Sequence, residues 1–235
     1  MSANATEQTL EILEKTYPHA RIALSFSNTW ELLVAVVLSA QCTDVMVNKV
    51  TEKLFKKYPT LDEYVEARID EFEQDIKSTG FYHNKAKNIL ASSRIISEKF
   101  NGKVPDTMEK LLLLLPGIAR KSANIILGNA YGVIEGIAVD THVSRVSQRL
   151  RLVDPKKIGG KNLVYFTRQG SGPRVDFKKD ADPVKIEQSL MATVAKEEWF
   201  QISYRLIDHG RQICHARRPL CERCVLNRIC PSSRV

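Results

Sequence analysis

The chain has 235 residues, 43% of them hydrophobic, which suffices for one large packed domain or two small ones. Lysine and arginine outnumber aspartate and glutamate 35 to 27, a formal charge of +8 that points to an anionic partner: nucleic acid, an acidic protein or an anionic membrane surface. The longest apolar run, "LLVAVVLSA" (32–40), is too short to cross a bilayer, and no basic-then-apolar leader opens the chain, so a soluble intracellular protein is expected, in the cytoplasm or nucleoid if the host is prokaryotic.

In chain order nearly every segment reads helical. Residues 6–16 form a short amphipathic helix, and 27–41 start on Asn28 with Glu31 three residues on, a capping-box pattern. Residues 43–58 place Val47, Val50, Leu54 and Phe55 at helical spacing. Shorter helices are predicted near 60–67 and 69–78, ending at Gly80, and a longer one over 84–100 runs to Asn101-Gly102. Asp106 or Thr107 caps "MEKLLLLL", a Pro-Gly turn follows, and helices resume over 121–132 and 141–150. "LVYFT" (163–167) and "RVDF" (174–177) flank "RQGSG" as a small hairpin inside 154–183, a segment rich in Gly, Pro and Lys that reads as an inserted loop. Helices over 184–198 and 199–212 complete an all-α class.

Four of the five cysteines crowd the C-terminus with the spacing C-x6-C-x2-C-x5-C: Cys214, Cys221, Cys224 and Cys230. In a reducing compartment such a cluster reads as metal ligands rather than disulfides. Only one short Cys pair is present and Pro231 follows the last Cys, which favours a [4Fe–4S] cluster, with zinc and a metal-free segment as alternatives. Arg217 and Arg218, in the loop between the first two cysteines, either offset thiolate charge or meet phosphates.

"LLLLLPGIARKSAN" (111–124) joins two helices through a tight turn. Pro116 and Gly117 end the first, and the backbone N–H groups of 117–121 open the second, where an anion is favoured. Lys121 sits at that positive end beside Arg120, an environment that disfavours its ammonium form. It reads either as a phosphate contact or as an amine able to attack the anomeric carbon of a sugar. Asp140, before the helix at 141, reads as an N-cap and equally as a carboxylate that steadies positive charge on a sugar.

Taken together, "LSAQCTDVMVNK" (38–49), "GFYHNKAKNI" (80–89), "VPDTMEKLLLLLPGIARKSANIIL" (104–127), "VDTHVSRV" (139–146), "HGRQIC" (209–214) and the cysteine spacing resemble, in order and over nearly the whole chain, the endonuclease III family of DNA glycosylase/AP lyases in the helix-hairpin-helix superfamily. The resemblance implies two helical lobes flanking a DNA-binding cleft: a six-helix barrel over 23–133, and an iron–sulfur cluster domain made of 1–22 and 134–235. It implies Lys121 as nucleophile, Asp140 as its catalytic carboxylate and the four cysteines as ligands of a [4Fe–4S] cluster. It further implies DNA contacts from Ser39, Gln41, Phe81, Gly117, Ala119, Arg120, His142, Arg217 and Arg218. The implied partner is double-stranded DNA carrying damaged pyrimidines or abasic sites, bound by a monomer. The implied reaction extrudes an oxidised pyrimidine, displaces it to form a lysine imine, and cuts the strand 3′ to the lesion by β-elimination. A mismatch-directed glycosylase of the same superfamily and a non-catalytic iron–sulfur DNA-binding protein are the alternatives.

Three positions depart from the family pattern. Ala119 stands where the hairpin usually carries a second glycine, and would cost about 1 kcal/mol if that position required positive φ. Phe81 stands at a wedge position expected to hold a smaller aliphatic, and an aromatic ring there can stack on exposed bases. Residues 154–183 exceed what the family requires and supply Lys156, Lys157, Lys161, Lys178 and Lys179 either as phosphate contacts or as a floppy surface loop.

Overall fold

The computed structural model describes residues 3–168 and 172–235, with side chains from residue 5 onward; part of the expected "RQGSG" connection lies outside the described residues. They divide into two compact units, Ala23–Glu135 and Met1–Ile22 joined with Gly136–Val235. Helix α1 (Ala3–Thr16) opens the chain and belongs to the second of these.

The unit Ala23–Glu135 is organised around α2 (Thr29–Leu38), in which Trp30 and every residue from Leu32 to Leu38 are buried. A helix apolar on all sides can be stable only inside a protein. Its start is fixed by Asn28, whose side chain accepts the Glu31 N–H at 2.9 Å. The reciprocal half of the expected capping box lands one residue earlier: Glu31 Oε2 accepts from the Ser27 N–H at 2.6 Å and from the Ser27 hydroxyl at 2.7 Å. Around this helix stand α3 (Asp44–Lys57), α4 (Leu61–Glu66), α5 (Ile69–Ile76), α6 (Tyr82–Phe100), α7 (Met108–Leu114) and α8 (Arg120–Tyr131). Tyr64, fully buried, packs against Trp30, Tyr58 and Phe72 with ring centroids 5.1, 5.3 and 5.7 Å away.

The five-leucine run does not bury all its members. Leu111 and Leu115, four apart, face inward with Met108, while Leu113 is 74% exposed between two other exposed leucines. One helix face takes the core, whatever residues occupy the others.

The second unit holds α1, α9 (Thr141–Arg149), β1 (Leu163–Phe166), β2 (Arg174–Lys178), α10 (Pro183–Met191) and α11 (Trp199–Gln212). Its core gathers Leu13, Ile137, Val143, Val146, Leu150, Ile186, Leu190, Ile202, Leu206 and Leu226. Gly210 lets α11 approach α9 closely, because a Cβ there would lie 2.9 Å from His142 Nδ1 and 3.1 Å from Arg145 Nη2. The expected helix over 184–198 stops at Met191: the N–H groups of Thr193 and Val194 both turn back to Leu190 O, and a short 3-10 turn follows at Lys196–Glu198.

The expected hairpin is present, antiparallel, with Val164 opposite Phe177 and Tyr165 opposite Val175. Asp176 is therefore the extra residue of a β-bulge. Phe166, Asp176 and Phe177 are buried, so the described part of the segment has a packed inner face rather than the character of a surface loop. Among the described residues no helix is long and apolar enough to cross a membrane.

Because Asn28 supplies the side-chain cap at the start of the central helix, Asn28→Ala is expected to lower stability by about 1 kcal/mol. The check is the urea midpoint, which should fall with an unchanged denaturant slope.

Candidate active site and metal centre

The hairpin between α7 and α8 is set by Gly117. Its φ of +80° suits glycine, and a Cβ on it would lie 2.3 Å from Asn88 Nδ2 on α6. Ala119 caps α8 at φ −103°, ψ 169°. That is extended backbone open to any residue, so the strain considered from sequence is absent, and only its exposed methyl distinguishes it from glycine. Alanine offers no side-chain acceptor, and α8 begins without a side-chain cap. Arg120 and Lys121 form its first turn, both half-buried, where the helix dipole is most positive.

Gln41 and Phe81, the two residues expected to enter the duplex, share an uncommon backbone. Their φ values are +54° and +49°, two of four non-glycine residues with positive φ among the described residues. For a residue as bulky as phenylalanine this left-handed conformation is strained. Phe81 is 62% exposed and Gln41 is exposed as well. Ser39 ends α2, and its hydroxyl donates to Val36 O at 2.8 Å.

Both turns rest on Lys85, a residue not singled out from sequence. Lys85 is 5% exposed, and its ammonium donates to Leu38 O and to Thr79 O, each at 2.8 Å. Leu38 precedes the Gln41 turn and Thr79 precedes the Phe81 turn, so one buried cation brackets the two. Burial lowers its pKa below the ordinary lysine value, with the nearby Cys42 opposing the shift. The sequence signal was a lysine shortly before the buried Ile89-Leu90 pair, with nothing to separate it from Lys87, which is exposed.

In the other unit Asp140 is the N-cap of α9, and Oδ1 accepts the Val143 N–H at 2.7 Å. His142, half-buried, faces inward: its Nδ1 meets Arg145 Nη2 at 3.1 Å. Burial lowers the His142 pKa, and the positive charges of Arg145 and Arg211 add to this against Asp140. A neutral ring accepting at Nδ1 carries its proton on Nε2. Arg145 also donates to Gly210 O at 3.0 Å and to Cys214 O at 3.1 Å, tying α9 to the end of α11.

The four C-terminal cysteines line one small cavity, together with Arg149, Leu150, His209, Ile213 and Pro219. The chain enters it from α11, and the loop to Cys221 is closed by Leu220 N–H donating to Ile213 O. Arg217 and Arg218 are exposed on that loop. No group of three or more His, Cys, Asp or Glu among the described residues is arranged to hold a single metal ion. A tetrahedral zinc ion would draw four sulfurs to within about 4 Å of one another, whereas a cubane holds its thiolates further apart around a larger body.

The donors around the sulfurs suit negative charge. Arg149 Nη1 lies 3.3 Å from Cys214 Sγ and the Leu226 N–H points at Cys224 Sγ at 3.4 Å. Burial holds the His209 pKa down at about 4 and pushes Tyr17 up to about 12. Tyr17 therefore donates its hydroxyl to His209 Nδ1 at 3.0 Å, and the Nε2–H faces Cys224 Sγ at 3.7 Å. Burial likewise raises Cys224 and pushes Cys230 up to about 12, so these thiols keep their protons until a bound metal displaces them to solvent. The residues present fit an iron–sulfur cluster.

Comparison with known proteins agrees with both halves of this arrangement. The family model of HhH-GPD superfamily base excision DNA repair proteins matches residues 34–163, and that of the iron-sulfur binding domain of endonuclease III matches residues 214–230, from the first cluster cysteine to the last. The chain is 44% identical over 229 residues to endonuclease III of Synechocystis sp., covering 97% of this chain and 92% of that protein. Two solved structures, a non-covalent endonuclease III–DNA complex and a trapped endonuclease III–DNA covalent intermediate, each align with a TM-score of 0.82 at 39% identity, over 99% of this chain and 97% of theirs. With likeness of this extent in sequence and in fold, the chain belongs to the endonuclease III family of the helix-hairpin-helix superfamily.

Proposed function

We propose that the protein is a bifunctional DNA glycosylase/AP lyase of base excision repair that removes oxidised pyrimidines, with Lys121 as nucleophile and Asp140 as its carboxylate partner. The glycosylase/AP lyase class follows from the family, and the protein binds DNA and carries a [4Fe–4S] cluster. The observation that carries the residue assignment is the placement of Lys121 on the uncapped first turn of α8, behind a hairpin that only glycine at 117 can make.

In this reading the α8 N-terminus takes a phosphate, while Gln41 and Phe81 enter the stack as the target nucleotide leaves it. Lys121 Nζ, as the neutral amine, then attacks C1′, and the base departs with the electron pair of its glycosidic bond; cleavage of C1′–O4′, with the nitrogen proton passing to O4′, gives the imine. Asp140 stabilises the positive charge that develops on the sugar. Loss of the C2′ proton from the resulting imine expels the 3′ phosphate, and water later releases the enzyme. Cys214, Cys221, Cys224 and Cys230 are the ligands of the cluster, whose contribution is to cross-link the C-terminal segment and order the loop that carries Arg217 and Arg218 toward the DNA backbone.

The preferred lesion is tested with duplexes carrying thymine glycol, a G·T mismatch or an abasic site, each treated with borohydride. Trapping on thymine glycol is expected, and Lys121→Gln is expected to reduce it by on the order of 10³-fold or more. Base release without trapping would overturn the lysine mechanism, and preference for G·T would replace the lesion assignment. Asp140→Asn should keep the α9 cap, since Asn is as good an N-cap as Asp, and lose base release. An equal loss of thermal stability and activity in this variant would reduce Asp140 to a capping residue. Lys85→Met removes both bonds beneath the wedge turns, and is expected to cost about 2 kcal/mol by urea titration. It should also weaken unstacking of a base analogue opposite the lesion; intact unstacking would sever Lys85 from the wedges.

A further inference from the structure

The hairpin β1–β2 does more than cover apolar surface. Its bulge residue Asp176 has no exposed area and points its carboxylate inward, where Oδ1 accepts Arg149 Nε at 2.9 Å and Oδ2 accepts Arg149 Nη2 at 2.7 Å. The two planar groups meet as a bidentate pair, which fixes the rotation of the guanidinium. The remaining N–H groups of Arg149 are thereby aimed at the segment after α11: Nη1 at Cys214 Sγ (3.3 Å) and His215 O (2.7 Å), Nη2 at Ala216 O (2.9 Å). The Phe177 ring, next along β2, lies 5.1 Å from the Arg149 guanidinium carbon. Asp176 Oδ2 also accepts from Arg234 Nη2 at 3.2 Å, and Arg234 Nη1 donates to Arg217 O at 3.1 Å. One buried carboxylate thus anchors the guanidinium, the C-terminal tail and the loop between the first two cysteines.

We propose that Asp176 is a positioning residue of the iron–sulfur site: through Arg149 it holds the Cys214 sulfur and the 215–220 loop in their closed arrangement, so that the hairpin governs how firmly the protein retains its cluster. The inference rests on the cluster assignment above. Of the lysines of this segment, Lys178 has its Nζ committed to Pro155 O and Gly159 O at 2.8 and 2.9 Å rather than turned outward. A buried guanidinium deprived of its carboxylate must move or draw in water, and either event opens the sulfur it covers.

The test uses the full-length protein purified anaerobically, with iron and sulfide measured per chain and the loss of visible cluster absorbance followed in air with a chelator. Asp176→Asn is expected to lose absorbance on the order of tenfold faster than wild type, or to carry clearly less iron, while keeping its helical circular dichroism. Asp180→Ala is the control. Asp180 holds the base of the same hairpin through the Lys161 and Asn162 N–H groups without touching Arg149, and its removal should leave the rate near wild type. Equal rates in Asp176→Asn and wild type would overturn the inference, as would equally fast loss in both variants. If Asp176→Asn does not fold, Arg234→Gln decides, because it removes one bond from the same carboxylate at a partly exposed site; faster loss supports the role and an unchanged rate rejects it. Wild-type protein holding zinc or no metal would sink the cluster assignment and this inference with it, an outcome distinct from an iron-loaded pair that behave alike.

Discussion

A cation taken out of water must find an acceptor for each N–H it carries, and both units of this chain are organised around that demand. Lys85 meets it for two of its three N–H groups with backbone carbonyls from different turns, and Arg149 with a carboxylate, a sulfur and the carbonyls that follow Cys214. The two side chains are matched to their tasks. Lysine is a point charge on a flexible stem and reaches two carbonyls whose positions share no plane, whereas the flat fork of arginine registers a carboxylate on one edge and a loop on the other. Arg145, one turn before Arg149 on α9, repeats the arginine solution toward Gly210 O and Cys214 O. In each case a buried charge ties together loops that have little apolar surface of their own.

That arrangement explains how exposed residues can be held in costly conformations. A left-handed backbone at a non-glycine position costs on the order of 1–3 kcal/mol when the surroundings must enforce it. Gln41 and Phe81 both adopt it while their side chains stand in solvent, so packing of those side chains cannot be what enforces it. The stabilisation comes from beneath, through the Lys85 bonds to Leu38 O and Thr79 O. Exposed side chains presented on turns held in this way suit the stack-entering role proposed for Gln41 and Phe81, since less freedom remains to be lost on binding.

Much of the helical order was legible because the apolar periodicity, the Asn28 and Asp140 caps and the Asn101-Gly102 and Pro116-Gly117 stops act locally. The cysteine spacing was equally plain, because four thiols in seventeen residues have few uses. Where the reading fell short, the deciding partner lay far away in sequence. Asp176 could not be recognised as a buried carboxylate without Arg149, twenty-seven residues earlier, and the segment around the predicted hairpin therefore read as an inserted loop. Lys85 was indistinguishable from Lys87 without the carbonyl of Leu38. The exposure of Leu112 to Leu114 was hidden by composition, since a run of one residue type carries no period from which to choose a face. Ala119 is the opposite case: a family preference for glycine left positive φ open there, and the backbone is extended.

The same structural element, a helix N-terminus, is finished in two opposite ways in the two units. On α9 it is filled from within, by the Asp140 carboxylate bonded to the Val143 N–H, so its positive end is already answered by a negative group of the protein. On α8 the N-cap is alanine, which has nothing to offer, and the first turn carries Arg120 and Lys121 where acidic residues would favour the helix. A helix selected for stability alone would show the α9 pattern at both places. An anion at the first turn would offset the cost of leaving α8 uncapped, and in the function proposed above that anion is a nucleic-acid phosphate. In that reading the stability α8 forgoes in the free protein is held in reserve for DNA.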